Sequence, residues 1–127
     1  MNTTQVPFLA EGVLIIIAGI FGILLGRAGK PYGKLKLTFH LFFIIWFSVG
    51  FCFIVYGILT SGSATKGIGI PIAVMGLAIL TQLVTGILML ATKKAGMAFP
   101  KIHLFSAISM LLSDICAFVM ANKFLIP

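Results

Sequence analysis

The chain has 127 residues, of which 61% are hydrophobic and only 9% are charged, and its formal net charge is +7. So few polar residues cannot cover the surface of a soluble domain, which excludes an ordinary soluble globular protein. A helix needs about 20 mostly apolar residues to cross a bilayer. Four such windows are present, at residues 8–25, 37–59, 68–90 and 102–120. The sequence therefore predicts an all-α integral membrane protein, an up-down-up-down bundle of four transmembrane helices, with residues 1–127 forming a single transmembrane domain.

The basic residues are distributed unevenly between the connections. The first and third loops hold Arg27, Lys30, Lys34, Lys36, Lys93, Lys94 and Lys101, and only Lys66 and Lys123 fall on the other side. Because cytoplasmic loops are enriched in Lys and Arg, the two basic loops are expected in the cytoplasm and both termini outside, in a prokaryotic plasma (inner) membrane. Attraction to the anionic headgroups of membrane lipid accounts for such charges. No nucleic-acid partner is expected.

The two halves of the sequence share a pattern of glycine and histidine. Gly22-Ile-Leu matches Gly86-Ile-Leu, and His40-Leu-Phe matches His103-Leu-Phe, with 18 residues from glycine to histidine in the first half and 17 in the second. These are the only two histidines in the chain. The pattern predicts a duplicated helical hairpin, repeat 1 at about 8–59 and repeat 2 at about 68–121, with both copies in the same orientation, as parallel repeats.

The repeat predicts a site shared by the two histidines. The second and fourth windows run in the same direction, and His40 and His103 each lie near the cytoplasmic start of one, so both imidazoles are expected at one depth. Two imidazoles in apolar surroundings are the axial ligands of a b-type haem. Glycines on the neighbouring helices would admit the edge of a macrocycle, and lysines at the membrane surface would bind its propionates. These cofactor-binding residues are Gly22, Gly26, Gly86, Lys34, Lys36 and Lys101.

The motifs Lys36-x-x-x-His40-Leu-Phe and Pro100-Lys-Ile-His103-Leu-Phe resemble those of four-helix membrane b-type cytochromes, the cytochrome b561-like group. The resemblance implies that His40 and His103 ligate the haem iron and that electrons pass to or from quinones or small reductants. Such cytochromes commonly carry two haems near opposite faces, whereas this chain has histidines for one. The resemblance therefore implies an electron-transfer subunit rather than a self-contained enzyme, completed by other subunits of a redox complex, by a homodimer or by a quinone site.

The two acidic residues are further candidates, because an ionisable group within a span is a functional hypothesis by default. Asp114 follows His103 by 11 residues, which places both on nearly the same helix face, roughly 16 Å apart along the axis. Asp114 could relay protons or contact a quinone, or it could make a structural hydrogen bond to Ser113, Thr85 or Gln82. Glu11, near the outer end of the first window, could approach the same outer cavity as Asp114, or it could lie at the membrane–water interface.

Two other functions stay open. Leu9-Ala-Glu11 in the first of four short spans resembles the small multidrug-resistance transporters, which implies a proton-coupled transporter using Glu11 and Asp114. A cofactor-free structural or assembly subunit of a membrane complex would also need only four spans. No nucleophile and base, phosphate-binding loop or metal cluster is recognisable, so a hydrolase or kinase is not expected.

Overall fold

In a computed structural model, which describes residues 5–60, 67–92 and 98–124, the chain forms α1 (Gln5–Ala28), α2 (Lys34–Thr60), α3 (Gly69–Ala91) and α4 (Ala98–Phe124). Each predicted apolar window falls on one of these helices, so the all-α, four-helix prediction is confirmed. All four helices are long and apolar enough to cross a membrane. Length and composition together indicate an integral membrane protein.

The chain divides into two compact units, Met1–Thr65 and Lys66–Pro127. In the first unit α1 packs against α2, forming what we term the first hairpin, and in the second unit α3 packs against α4, forming the second hairpin. Each unit contains one glycine and histidine pattern, and the assignment of the two hairpins as repeats stays a prediction. The single-domain assignment and the descent of the hairpins from a duplication stay predictions.

The helix boundaries have local causes. Proline is the third residue of α1, α3 and α4, at Pro7, Pro71 and Pro100, where its missing N–H costs no helical hydrogen bond. Helix α1 ends at Ala28 because Gly29 adopts a left-handed conformation with φ of 67°, and its N–H donates to the Leu25 carbonyl at 3.2 Å. Glycine adopts this conformation without the penalty that a side chain imposes.

The core of the first hairpin comes mainly from one face of α1. Its buried residues are spaced three, four or seven positions apart, the spacing of a helix that packs along one stripe; they are Phe8, Glu11, Ile15, Ala18 and Leu25. On α2, which the structure describes throughout, only Phe47 is classed as buried.

The core of the second hairpin is more polar. Helix α3 contributes Pro71, Met75, Ala78, Ile79, Gln82 and Thr85. Helix α4 contributes Ser106, Met110, Ser113, Asp114, Ala117 and Ala121. Small residues on α4 allow the two backbones to approach closely, and hydroxyl and amide groups can bond between helices, as is common in helix pairs in lipid.

Large apolar side chains cover the outer faces of both hairpins. The exposed fraction reaches 76% at Leu59 and Ile70, 73% at Phe105 and 71% at Phe53. Contiguous apolar surface of this kind is rare on soluble monomers. It suits contact with lipid hydrocarbon, in agreement with the length and composition of the helices.

Candidate functional site

His40 lies in the second turn of α2 and contacts α1. Its Nδ1 is 2.9 Å from the backbone carbonyl oxygen of Ala18. A carbonyl can only accept a hydrogen bond, so Nδ1 carries the proton and donates it.

Gly22 explains how the His40 imidazole reaches that carbonyl. A helical side chain covers the turn that precedes it. Because Ala18 lies one turn before Gly22, a side chain at position 22 would cover the Ala18 carbonyl. A Cβ at position 22 would lie 3.2 Å from His40 Cε1 and 3.5 Å from its Nδ1, tighter than most contacts that a Cβ makes. The absent side chain therefore leaves the space in which the imidazole lies.

His103 makes the corresponding contact in the second hairpin with a side chain instead. Its Nδ1 is 2.8 Å from Thr85 Oγ1. The Thr85 hydroxyl donates its single proton to the Thr81 carbonyl at 2.6 Å, so it accepts from the imidazole and Nδ1 again carries the proton. A Cβ at Gly86 would lie 3.6 Å from His103 Cε1, so a glycine also adjoins this ring.

The backbone of His103 is held as well as its ring. Gln82 Nε2 donates to the His103 carbonyl at 2.7 Å, and Ser106 Oγ donates to the same oxygen at 2.9 Å. The sequence offers Gln82 and Thr85 as hydrogen-bond partners of Asp114. In the structure the Gln82 amide and the Thr85 hydroxyl each bond His103.

Both carboxyl side chains are buried within their hairpins. Glu11 is 5% exposed and Asp114 is 4% exposed. The Glu11 side chain therefore lies inside its hairpin and is not exposed to the membrane–water interface. The carboxyl group of Glu11 lies over Gly50: a Cβ at position 50 would overlap Glu11 Oε1 and come within 2.8 Å of Cδ. Oδ1 of Asp114 is buried with no hydrogen-bond partner among the described residues.

In each hairpin a buried carboxyl group and a histidine lie at two different heights along the helices. Gly50, which contacts Glu11, follows His40 by 10 residues, and Ser113, which precedes Asp114, follows His103 by 10 residues. Ten helical residues span about 15 Å. In both hairpins a carboxyl group therefore lies about three turns of helix beyond the histidine.

The other candidate residues lie at the helix ends. Gly26 is exposed on α1, and a Cβ there would meet open space. Lys34 and Lys36 occupy the first turn of α2, Lys101 lies just inside α4, and all three are exposed. The part of the chain that the structure describes excludes Lys66, Lys93 and Lys94, and the side chain of Lys123.

Two partners of the histidines were missed by sequence reasoning, namely Ala18 and Thr85 as acceptors for the imidazole N–H groups. Their positions in the sequence could have indicated these acceptors, because Ala18 precedes Gly22 by one turn and Thr85 directly precedes Gly86. Across the described ranges there is no cluster of three or more His, Cys, Asp or Glu side chains that could hold a metal ion. Axial ligation of haem needs only one histidine on each face, so both imidazoles stay candidates.

Comparison with known proteins gives no match, whether to family models, to curated proteins or to solved structures. Function is therefore inferred from the chemistry of the two hairpins themselves.

Proposed function

We propose that the protein is an integral-membrane b-type haem subunit, which carries electrons between a quinone pool or a partner redox subunit and one haem held by His40 and His103 near the cytoplasmic face. The observation that carries the proposal is the shared hydrogen bond of the two imidazoles. In each, Nδ1–H donates to the preceding helix of its own hairpin. A bond of this kind orients a metal-ligating histidine and points to Nε2 as the nitrogen that would bind the iron.

The residues around each ring have defined tasks in this function. The Ala18 carbonyl and the Thr85 hydroxyl accept the Nδ1–H bonds and so fix the orientation of the two rings. Gly22 and Gly86 leave space beside the rings. A bound haem b would supply one-electron redox chemistry.

The exposed lysines supply a second line of support. Lys34, Lys36 and Lys101 lie near helix N-termini, where the helix dipole is already positive, so each is unfavourable unless an anion is close. Haem propionates or lipid phosphates provide such anions. Gly26, with open space around it on α1, would allow the macrocycle edge to approach.

The finer architecture belongs to the same proposal. The two hairpins form parallel repeats of an up-down-up-down bundle in a prokaryotic inner membrane, with both termini outside and the basic loops in the cytoplasm. One haem near one face does not carry electrons across the bilayer. The protein therefore acts with other subunits of a redox complex, as a homodimer or with bound quinone, as an electron-transfer subunit rather than a self-contained enzyme.

An absorption spectrum of protein purified from haem-replete cells tests the proposal. A reduced-minus-oxidised difference with b-type bands is expected, and both His40→Ala and His103→Ala should abolish it. Ser109→Ala is the matched control, because the Ser109 hydroxyl bonds only its own helix, at the Phe105 carbonyl. A colourless wild-type protein would overturn the proposal and favour a cofactor-free subunit. A reporter fused to the C-terminus should be active outside the cytoplasm, and activity inside would reverse the orientation.

A proton-coupled small transporter is the second candidate, supported by the burial of Glu11 inside an apolar helix. A carboxyl group in such a place is costly and commonly functional. In this case Glu11→Gln should abolish substrate-driven proton movement in vesicles while the protein still folds, with Asp114→Asn as the second variant. Unchanged proton movement in both variants would exclude this function.

A further inference from the structure

Asp114 is a buried acid that the proposed haem site does not use. It is 4% exposed, and its Oδ1 is buried with no hydrogen-bond partner in the parts of the chain that the structure describes. It lies within the apolar span Ala98–Ala121. Ten residues separate it from the end of α4 at Phe124, which is about 15 Å of helix.

Among the described residues of the second hairpin, no cation lies near enough along the helices to pair with an Asp114 carboxylate. Helix α3, which packs against α4, has no ionisable side chain from Gly69 to Ala91. On α4, Lys101 and His103 precede Asp114 by 13 and 11 residues and Lys123 follows it by nine, so each is more than about 13 Å away along the axis. Cys116, the remaining ionisable group on α4, is exposed.

The two protonation states of Asp114 differ greatly in the cost of burial. A buried carboxylate with no cation beside it and an oxygen lacking a hydrogen bond costs several kcal/mol, even after the protein relaxes. A neutral carboxylic acid costs much less, because it carries no charge to desolvate. The geometry around Asp114 therefore favours the acid over the anion.

We infer that Asp114 is a reversible proton-binding site, at which the buried carboxylate takes one proton from water and is held as a neutral carboxylic acid at neutral pH. The reaction adds a proton to one carboxylate oxygen and involves no electron, so it needs no redox partner. This site goes beyond the proposed haem function and does not depend on it. It gives the second hairpin an exchangeable proton about three turns of helix from His103.

Infrared spectroscopy can test the inference at one atom, because Asp114 is the only aspartate and Glu11 the only glutamate in the chain. Wild-type protein with ¹³C in the aspartate carboxyl group would be measured in lipid vesicles, both with haem and without it. At neutral pH the label should shift the C=O stretching band of a protonated carboxylic acid. At alkaline pH that band should be replaced by carboxylate bands.

Two further measurements make the assignment specific. Transfer to D₂O should move the labelled C=O band, since a reversible site exchanges its proton with water, and a band that does not move would overturn reversibility. Asp114→Asn should lose the label-sensitive band, whereas Glu11→Gln should keep it. A label that shifts only carboxylate bands at neutral pH would overturn the inference. Because the labelled wild-type protein needs neither a mutation nor haem, failure here is distinct from failure of the haem proposal.

Discussion

The two histidines of this chain lie in different surroundings although the patterns around them match. In the first hairpin Phe21, which precedes Gly22, stacks on Phe39 and Phe43, with ring centroids 5.2 and 6.0 Å apart. In the second hairpin the residue that precedes the matching glycine is Thr85, and its hydroxyl accepts from the histidine ring. The first imidazole thus bonds a backbone carbonyl in a hairpin with stacked aromatic rings, whereas the second bonds a side-chain hydroxyl.

The two hairpins provide the acceptor for the histidine Nδ1–H in two different ways. Where Phe21 offers no hydrogen-bonding atom, the ring of His40 uses the backbone carbonyl of Ala18, which Gly22 leaves accessible. Where Thr85 offers a hydroxyl, the ring of His103 uses that. A glycine is therefore sterically required at position 22, whereas a Cβ at position 86 would make only an ordinary contact with the ring.

The carboxyl groups differ in the helix that carries them. Glu11 lies on the first helix of its hairpin and contacts Gly50 on the second. Asp114 lies on the second helix of its hairpin, directly after Ser113, the residue that matches Gly50 in its distance from the histidine. Each hairpin therefore buries one acid at a similar distance beyond its histidine, although the two acids lie on different helices of their hairpins.

The largest expected effect is that of Gly50→Ala, which places a Cβ where the Glu11 carboxyl group lies. Overpacking typically costs about 1–3 kcal/mol, and a value near the lower end is expected because the displaced atoms end a flexible side chain. The measurement is the free energy of unfolding in detergent. Gly57→Ala on the same helix is the control, because a Cβ there meets open space. Adding Glu11→Ala to Gly50→Ala should recover part of the loss, and strictly additive effects would show that the two residues do not contact each other.

A smaller difference is expected between Gly22→Ala and Gly86→Ala. The new Cβ would lie 3.2 Å from His40 Cε1 in the first case and 3.6 Å from His103 Cε1 in the second. Relative to Gly19→Ala, which meets open space and corrects for helix propensity, Gly22→Ala should lose about 1 kcal/mol of unfolding free energy. Gly86→Ala should lose less than about 0.5 kcal/mol, because its Cβ makes an ordinary contact. Equal losses would contradict the steric difference between the hairpins.

Thr85→Val tests the polar surroundings of the second histidine. Valine keeps the shape of threonine and removes the acceptor for the His103 N–H, so a loss of about 0.6 kcal/mol is expected, the average for such bonds between membrane helices. Thr81→Val is the matched control, since the Thr81 hydroxyl donates to the Leu77 carbonyl of its own helix at 2.9 Å. If both variants lose the same stability, the Thr85 hydroxyl contributes nothing through His103.

The smallest effect is expected for Gly26→Ala, because Gly26 is exposed and a Cβ there meets open space. Unfolding free energy should differ from that of Gly19→Ala by no more than about 0.5 kcal/mol, the usual range for surface substitutions. In the proposed haem protein the same variant should lower haem content if the macrocycle edge approaches α1 at this position. Unchanged haem content would remove Gly26 from the site and leave Gly22 and Gly86 in place.

Much of the fold could be predicted, because four long apolar windows leave few alternatives to four helices. The helices extend beyond the apolar windows at their starts. The second and fourth windows begin at residues 37 and 102, whereas α2 and α4 begin at Lys34 and Ala98, because a helix can continue past the apolar residues that cross the bilayer.

The contacts of the candidate residues could be predicted less well than the helices. Gly22 and Gly86 were predicted to admit the edge of a macrocycle, and the structure shows each of them against the histidine of its own hairpin. Which atom accepts the Nδ1 proton depends on the rotation of two packed helices, which spacing alone does not determine. The burial of Glu11 likewise depends on Gly50, 39 residues later in the sequence.

The burial of both acids has a consequence for the way this protein meets others. Glu11 and Asp114 are the only acidic side chains in the chain, while nine are basic. The water-facing ends of the molecule therefore have no acidic side chain of their own with which to form a salt bridge. Two copies approaching by these ends would repel each other most strongly in dilute buffer. Mobile anions, lipid phosphates or an acidic neighbour must balance this charge.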